Sequence, residues 1–231
     1  MKTQVNTPNK DNVVYLFSGK TNIDFEENKI MRICPELDAL EMLYTNDSTP
    51  DKLYSLKIVC WGLRENGEVE GMVPWLNKIV PCSEINDPLN GSWEGYRDPG
   101  IDDVFYEPPK HKILELETAA EYYKYVPGSD DEIIQEIPDS IGTHAVLTTD
   151  LSERFMLIEV SSWRLLANGT VQGMLIDEDK VESTPVLLGD PSLYSAQSHH
   201  SFKYFFQHRI ANKIKEQDPE ALAAISLLMD P

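Results

Sequence analysis

The sequence predicts an α+β fold made of two copies of one unit, each a helix, an antiparallel hairpin-based sheet and a closing helix. The phrase WGLRENGEVEGM at Trp61–Met72 returns as WRLLANGTVQGM at Trp163–Met174, with seven of twelve positions identical. Short apolar runs typical of strands accompany both phrases, and helix-like periods precede and follow them. These observations indicate an internal duplication, and we expect the copies to pack about a pseudo-twofold axis as one unit.

The expected boundaries follow from composition and from the repeat. Residues 1–11 are polar and are expected to be a disordered tail. Residues 12–127 form the first repeat, and residues 128–231 form the second.

The first repeat is expected to begin with a strand at 13–17 and a helix after Pro35. Four apolar residues would form the buried side of that helix: Leu37, Leu40, Met42 and Leu43. The hairpin follows, with a third strand at Ile79 and Val80, and a helix at 113–126 closes the repeat.

The second repeat is expected to follow the same plan. Its acidic stretch at 130–137 would form a short helix. The expected strands cover residues 143–149, 155–166, 171–176 and 186–188. Helices at 202–214, with one apolar face, and from Pro219 onward would close the repeat.

The Asn-Gly pair at both hairpin turns predicts two-residue type I′ connections, because Asn and Gly tolerate positive φ. That turn would place Trp61 opposite Met72, and Trp163 opposite Met174, as buried sulfur–aromatic pairs. The glycine before each Met would leave room for the ring. The repeated phrase carries no nucleophile, acid or ligand and is therefore interpreted as scaffold.

Residues 83–110 interrupt the first repeat with four prolines, three glycines and no clear period, whereas about nine residues stand at the matching place in the second. We expect a long loop there, and such loops in compact domains are usually functional or disordered. Its aromatic content disfavours disorder. The candidate binding residues are Trp93, Tyr96, Arg97, Asp102, Asp103 and Tyr106. The alternative is that these aromatic rings close over the core.

The net charge of −19, from 39 acidic and 20 basic residues, disfavours nucleic-acid binding and suits a basic partner or simple solubility. The cluster of Lys203, Arg209, Lys213 and Lys215 is interpreted first as a solvated helix face. The alternative is that it complements Asp130, Asp131, Glu132 and Glu136, within the molecule or across a homodimer.

No catalytic group, metal site or cofactor site is expected. The three cysteines lack paired spacing and indicate a reducing compartment, and no two histidines have helical metal-ligand spacing. The Ser18–Thr21 stretch lacks the first glycine of a phosphate-binding loop. With no secretory leader and no run long enough to span a membrane, we expect a cytoplasmic protein without membrane association.

Two functions stay open. The first is a protein-binding module, of the inhibitor or immunity type, that engages a basic partner through the aromatic loop. The second is an enzyme or small-ligand-binding protein with a pocket between the repeats, under residues 83–110. A structural homo-oligomer is a plainer third reading.

Overall fold

The computed structural model describes residues 28–47, 50–87, 91–122, 127–149, 154–177 and 189–207. About half of these residues lie in strands, and one α-helix is found among them. The strands form four small antiparallel sheets in a propeller-like ring. The expected α+β architecture of helix–hairpin–helix repeats is therefore wrong, because the protein is mostly β. No described helix is long and apolar enough to cross a membrane.

The described part of the chain consists mainly of short strands. The strands of the first repeat are β1 (Ile30–Pro35), β2 (Glu41–Thr45), β3 (Tyr54–Lys57), β4 (Cys60–Arg64), β5 (Val69–Trp75), β6 (Lys78–Pro81), β7 (Asn86–Asp87), β8 (Gly91–Asp98) and β9 (Asp103–Phe105), followed by the helix α1 (Lys110–Tyr122). The strands of the second repeat are β10 (Ile133–Pro138), β11 (His144–Thr149), β12 (Arg154–Glu159), β13 (Ser162–Leu166), β14 (Val171–Ile176), β15 (Leu193–Ser195) and β16 (Phe202–Phe206).

The two repeats share one chain path. The order β1-β4-β5-β6 in one sheet matches β10-β13-β14-β15 in another, and β3-β2-β8 matches β12-β11-β16. The irregularities in strand pairing match as well. β8 has a bulge at Glu94 where it pairs with β2, and β16 has a bulge at Lys203 where it pairs with β11. The first strands are bulged after Ile30 and after Ile133. This repeat-like structure fits an internal duplication.

Three expected helices are strands where the structure describes them. The residues after Pro35 lead into β2, the stretch at 130–137 leads into β10, and 202–206 form β16. In β2 the side chains of both faces are buried, so its apolar residues do not alternate. Such a continuous apolar run cannot be distinguished from a buried helix by periodicity alone.

Several other expected helices and strands lie where the sequence predicts them. The helix expected at 113–126 is α1, and the strands expected at 79–80, 143–149 and 171–176 are β6, β11 and β14. The run at 155–166 is divided into β12 and β13. Several expected features lie outside the described residues: the tail at 1–11, the strands at 13–17 and 186–188, and the helix from Pro219.

The segment 83–110 is not the expected loop. It contains β7, β8 and β9, and β8 pairs along its length with β2. Two of its glycines serve that strand structure: Gly95 takes a φ of +131° beside the bulge, and Gly100 lies in the turn before β9. The high Pro and Gly content therefore marks turns between short strands.

The two central hairpins turn through three residues instead of the expected two. In the first, Arg64 N donates to Glu68 O at 2.8 Å, Gly67 N donates to Arg64 O at 3.0 Å, and only Gly67 takes a positive φ, of +88°. Such a turn with a glycine bulge shifts the register by one residue. Trp61 therefore lies opposite Gly71, Trp163 lies opposite the corresponding glycine, and the expected Trp–Met pairs are wrong.

Each hairpin tryptophan is fully buried and donates its indole N–H to a carboxylate that follows the proline ending the first strand. Trp61 Nε1 lies 2.5 Å from Glu36 Oε2, and Trp163 Nε1 lies 2.8 Å from Asp139 Oδ1. Both carboxylates also accept backbone N–H groups of the next turn, from Asp38 and Leu40 or from Gly142 and Thr143. The same interaction therefore joins strand, turn and hairpin in both repeats.

One aromatic ring of β8 or β16 packs beside each tryptophan, and a second ring of the same strand packs against the first ring. The ring centroids lie 5.1 Å apart for Trp61–Tyr96, 5.4 Å for Trp93–Tyr96, 5.4 Å for Trp163–Phe205 and 4.9 Å for Phe202–Phe205. The glycine opposite each tryptophan leaves room for one of these rings, since a Cβ on Gly173 would lie 2.6 Å from Phe205. The repeated glycine is thus required by the last strand.

The contact between the repeats is one-sided. The side-chain amide of Gln135 bonds both N and O of Ile33, at 3.0 and 2.6 Å, and Gln207 bonds both N and O of Lys57, at 2.9 and 3.1 Å. β14 packs beside β6 and β16 beside β5, without reciprocal contacts of similar extent among the described strands. The expected pseudo-twofold packing is therefore wrong.

The two hairpin turns differ in how closely other residues cover them. Two matched glycine-to-alanine substitutions test this difference through the free energy of unfolding. Gly67 and Gly169 have φ of +88° and +86°, so alanine at either costs about 1–2 kcal/mol of backbone strain. A Cβ on Gly67 meets nothing within 4 Å, whereas one on Gly169 would lie 2.7 Å from Lys29 Cβ and 2.9 Å from Ile30 N. We expect urea denaturation to show Gly169→Ala less stable than Gly67→Ala by about 1–3 kcal/mol. Equal losses would contradict the close packing.

The carboxyl group of Asp139 gives the fold a pH dependence. Burial raises the pKa of Asp139 above its ordinary value of 3.8, against hydrogen bonds from Thr143, Trp163 and Gly142 that favour the carboxylate. A raised folded pKa means that the folded chain binds this proton more tightly than the unfolded chain does. We therefore expect the unfolding free energy of wild type, relative to Asp139→Asn, to rise as the pH falls from the folded pKa towards 3.8.

The measurement is urea denaturation at a series of pH values. Asp190→Asn is the control of opposite sign, because the hydroxyl and backbone N–H of Ser192 lower the pKa of Asp190. Relative to that variant, wild type should lose stability as the pH falls from 3.8 towards the lower folded pKa of Asp190. A flat difference for Asp139→Asn would contradict the raised pKa.

Candidate functional site

A groove of about 450 Å³ lies between the first hairpin turn and the segment from β9 to α1. Residues 67–70 and Ser83 form one wall, and Trp93, Tyr96, Tyr106, Pro108 and Ile113 form the rest. We call it the aromatic groove. It brings together three of the six residues expected to bind: Trp93, Tyr96 and Tyr106.

Tyr96 and Trp93 belong to the core side of this groove. Tyr96 is 2% exposed, and its hydroxyl accepts the N–H of Gly71 at 3.1 Å. Burial raises the pKa of the Tyr96 hydroxyl far above its ordinary range. Trp93 is half-buried and donates its indole N–H to Gly95 O at 3.0 Å. Phe202 and Phe205 take the same positions in the second repeat, so packing alone accounts for these two rings.

In the second repeat a different group accepts the hydrogen bond from the N–H of the matching glycine, Gly173. Phe205 lacks a hydroxyl, and Gly173 N instead donates to Gln197 Oε1 at 3.0 Å. Gln197 also donates to Val171 O at 3.1 Å. Ser83 occupies the position of Gln197 in the first repeat, in the matching 3-10 turn. The exchange of Tyr for Phe is thus accompanied by an exchange of Ser for Gln.

Arg97 is committed to a structural pair and does not lie in the groove. It faces Glu41 across β8 and β2, and its NH2 lies 2.5 Å from Glu41 Oε2. Glu41 is buried and the Arg97 side chain is 26% exposed, so this pair neutralises a buried carboxylate. Arg97 pairs with the exposed Val104 across β8 and β9, but its guanidinium group is bound to Glu41.

Asp102, Asp103 and Tyr106 are exposed, within β9 or directly beside it. Two further apolar residues, Ile101 and Val104, lie beside them. Ile101, Val104 and Tyr106 are 72%, 44% and 69% exposed. We call residues 101–107 the β9 patch. Between residues 91 and 109 there are five carboxylates and one basic residue, Arg97, which is already paired. The patch is therefore apolar and negatively charged, and Tyr106 belongs to both the patch and the groove.

Sequence reasoning missed the acidic side of the groove. Glu68 and Glu70 line it, with Glu70 held by Arg64 Nε at 2.7 Å and by the hydroxyl of Ser83. Their position in the hairpin marks them as polar, but only the fold brings them opposite Tyr106. The buried carboxylate of Glu36 and the half-buried carboxylate of Asp139 were also missed, although each follows a proline at the end of a first strand.

No thiol nucleophile is available among the described residues. All three cysteines are buried. Burial raises the pKa of Cys34 to about 12, and it raises the pKa of Cys60 and Cys82 well above the ordinary value. Within the described ranges no three His, Cys, Asp or Glu residues lie together as metal ligands would.

Two larger cavities lie elsewhere. One of about 830 Å³ in the second repeat is bordered by Asp177, Tyr194 and His199, and burial together with the charge of Asp177 raises the pKa of Tyr194. The other, of about 820 Å³, lies between the repeats, and of the segment 83–110 only Glu84 borders it.

Comparison with known proteins yields no relative: no protein family, curated protein or solved structure matches this chain.

The hydrogen bond from Gly71 to Tyr96 can be tested by removing one oxygen. Tyr96→Phe leaves a buried N–H without its acceptor, which costs about 1–3 kcal/mol. We expect a lower urea midpoint for this variant and an unchanged one for Tyr106→Phe, whose ring is exposed. Adding Ser83→Gln to Tyr96→Phe should restore part of the loss, because Gln197 performs that role in the second repeat. Equal midpoints for the two Tyr→Phe variants would contradict this account.

Proposed function

We propose that this protein is a binding protein that takes a basic protein partner on the aromatic groove and the β9 patch. The observation that carries the proposal is Tyr106, a 69% exposed ring at the junction of the two surfaces, with carboxylates on both sides. Large rings exposed at the centre of a polar rim are typical anchors of protein interfaces.

The groove suits a cationic side chain. Its walls combine the rings of Trp93 and Tyr106 with the carboxylates of Glu68 and Glu70. Aromatic faces and carboxylates both attract ammonium and guanidinium groups, and the attraction grows as water is excluded. Glu70 is already paired with Arg64, which leaves Glu68 as the more available charge.

The β9 patch supplies the wider charge complementarity. Asp102 and Asp103 are exposed beside Ile101 and Val104, and the whole chain carries a net charge of −19. Such a surface speeds the approach of a positively charged protein and selects against acidic partners. An inhibitor or immunity-type role, in which speed and selectivity matter, is consistent with this arrangement.

The test is selection of short random peptides on the immobilised protein, followed by affinity measurements on the selected peptides. We expect peptides with net positive charge and one bulky apolar residue. Tyr106→Ser should weaken their binding about tenfold or more, as loss of an anchor does. Leu53→Ser is the control, because it alters an exposed apolar residue outside the aromatic groove and the β9 patch. It should leave peptide binding unchanged.

The charge is tested by the rate of association. Asp102→Asn with Asp103→Asn should slow association several-fold at low salt and much less at high salt, because salt screens exposed charges. Asp130→Asn with Asp131→Asn is the matched control, being another exposed pair of adjacent aspartates. Peptides selected without positive charge, or equal effects of both double variants, would overturn the proposal.

A further inference from the structure

The cleft between the repeats has a charge opposite to that of the molecule. Its volume is about 820 Å³, within the range of small-molecule sites. Three basic residues border it, Lys29, Arg64 and Lys78, against one acidic residue, Glu84. The chain as a whole has 39 acidic and 20 basic residues, so this local reversal is not expected from composition.

Two of the three cations in the cleft are available to a ligand. Arg64 is neutralised by Glu70 and Glu84, at 2.7 and 2.8 Å. Lys29 and Lys78 form no ion pair with any residue that the structure describes. They approach the cleft from different elements, Lys29 just before β1 and Lys78 at the start of β6.

One part of the cleft is apolar, and its remaining lining is polar but uncharged: Asn28, Asn77, Asn168, Thr170 and Gln197. Ile30, Met72 and Val171 contribute buried side chains to its floor, and Phe202 contributes a half-buried ring. A site that combines an apolar floor with the charges of Lys29 and Lys78 fits a ligand with an apolar body and an anionic head.

The cleft and the aromatic groove are related by the duplication. Residues 169–171, Gln197 and Phe202 in the cleft occupy the positions of residues 67–69, Ser83 and Trp93 in the groove. The position of Glu68 is held by Thr170, which carries no charge. The opposite wall is the first repeat, with its two lysines, in place of Tyr106 and α1.

We propose that the cleft between the repeats binds a small amphipathic organic anion, with its head on Lys29 and Lys78 and its body on Ile30, Met72 and Phe202. This site is separate from the surface for the basic partner and does not depend on it. A carboxylate and a phosphate head share the required chemistry.

The probe is anilinonaphthalene sulfonate, an apolar ring system with one anionic group, titrated with the whole folded protein and followed by fluorescence. We expect Lys29→Gln with Lys78→Gln to weaken its binding tenfold or more. Lys29→Arg with Lys78→Arg should retain it, because both charges remain. The matched control is Lys52→Gln with Lys203→Gln, which alters two exposed lysines outside the cleft and should leave binding unchanged.

Competition identifies the head group. Octanoate and octyl phosphate should displace the probe, and the stronger competitor assigns the class, whereas octanol should be much weaker. Urea denaturation of each variant shows that the fold is retained, and the arginine variant carries the test if the glutamine variant is unstable. Equal binding by the Gln and control variants, or displacement by octanol as strong as by the anions, would overturn the proposal.

Discussion

The fold depends on a single kind of hydrogen bond, made once in each repeat, from a fully buried tryptophan to a carboxylate at the end of the first strand. An indole N–H in the interior needs an acceptor, and a carboxylate in the interior needs several donors. The indole N–H and the carboxylate can bond to each other only if the hairpin, the first strand and the following turn keep one relative position. Glu36 and Asp139 therefore set where the chain leaves one sheet for the next.

The two repeats differ in what covers their hairpin turns. The hairpin turn of the second repeat rests on Lys29 and Ile30 of the first, whereas the first turn faces Tyr106 and Ile113. The same surface of the repeat therefore has two different covers. One cover makes an acidic aromatic groove, and the other makes a cleft bordered by lysines.

Local signals in the sequence predicted what is local in the structure. The repeated phrase predicted both hairpins, but Asn-Gly serves two kinds of turn, so the register was one residue off. β2 imitated a helix because both of its faces are covered by partners distant in sequence. Aromatic density predicted Trp93, Tyr96 and Tyr106, three residues of one groove. It could not predict that β2 and Trp61 bury Tyr96, or that Glu68 lies across from Tyr106, since both depend on pairings far along the chain.

The different covers of the two hairpin turns have a consequence for assembly. The turn of the second repeat is covered by Lys29 and Ile30 of the first repeat, whereas the turn of the first repeat faces Tyr106, Pro108 and Ile113 of its own segment. A second copy of the chain would therefore have to displace that segment before it could dock on the first turn as the first repeat docks on the second.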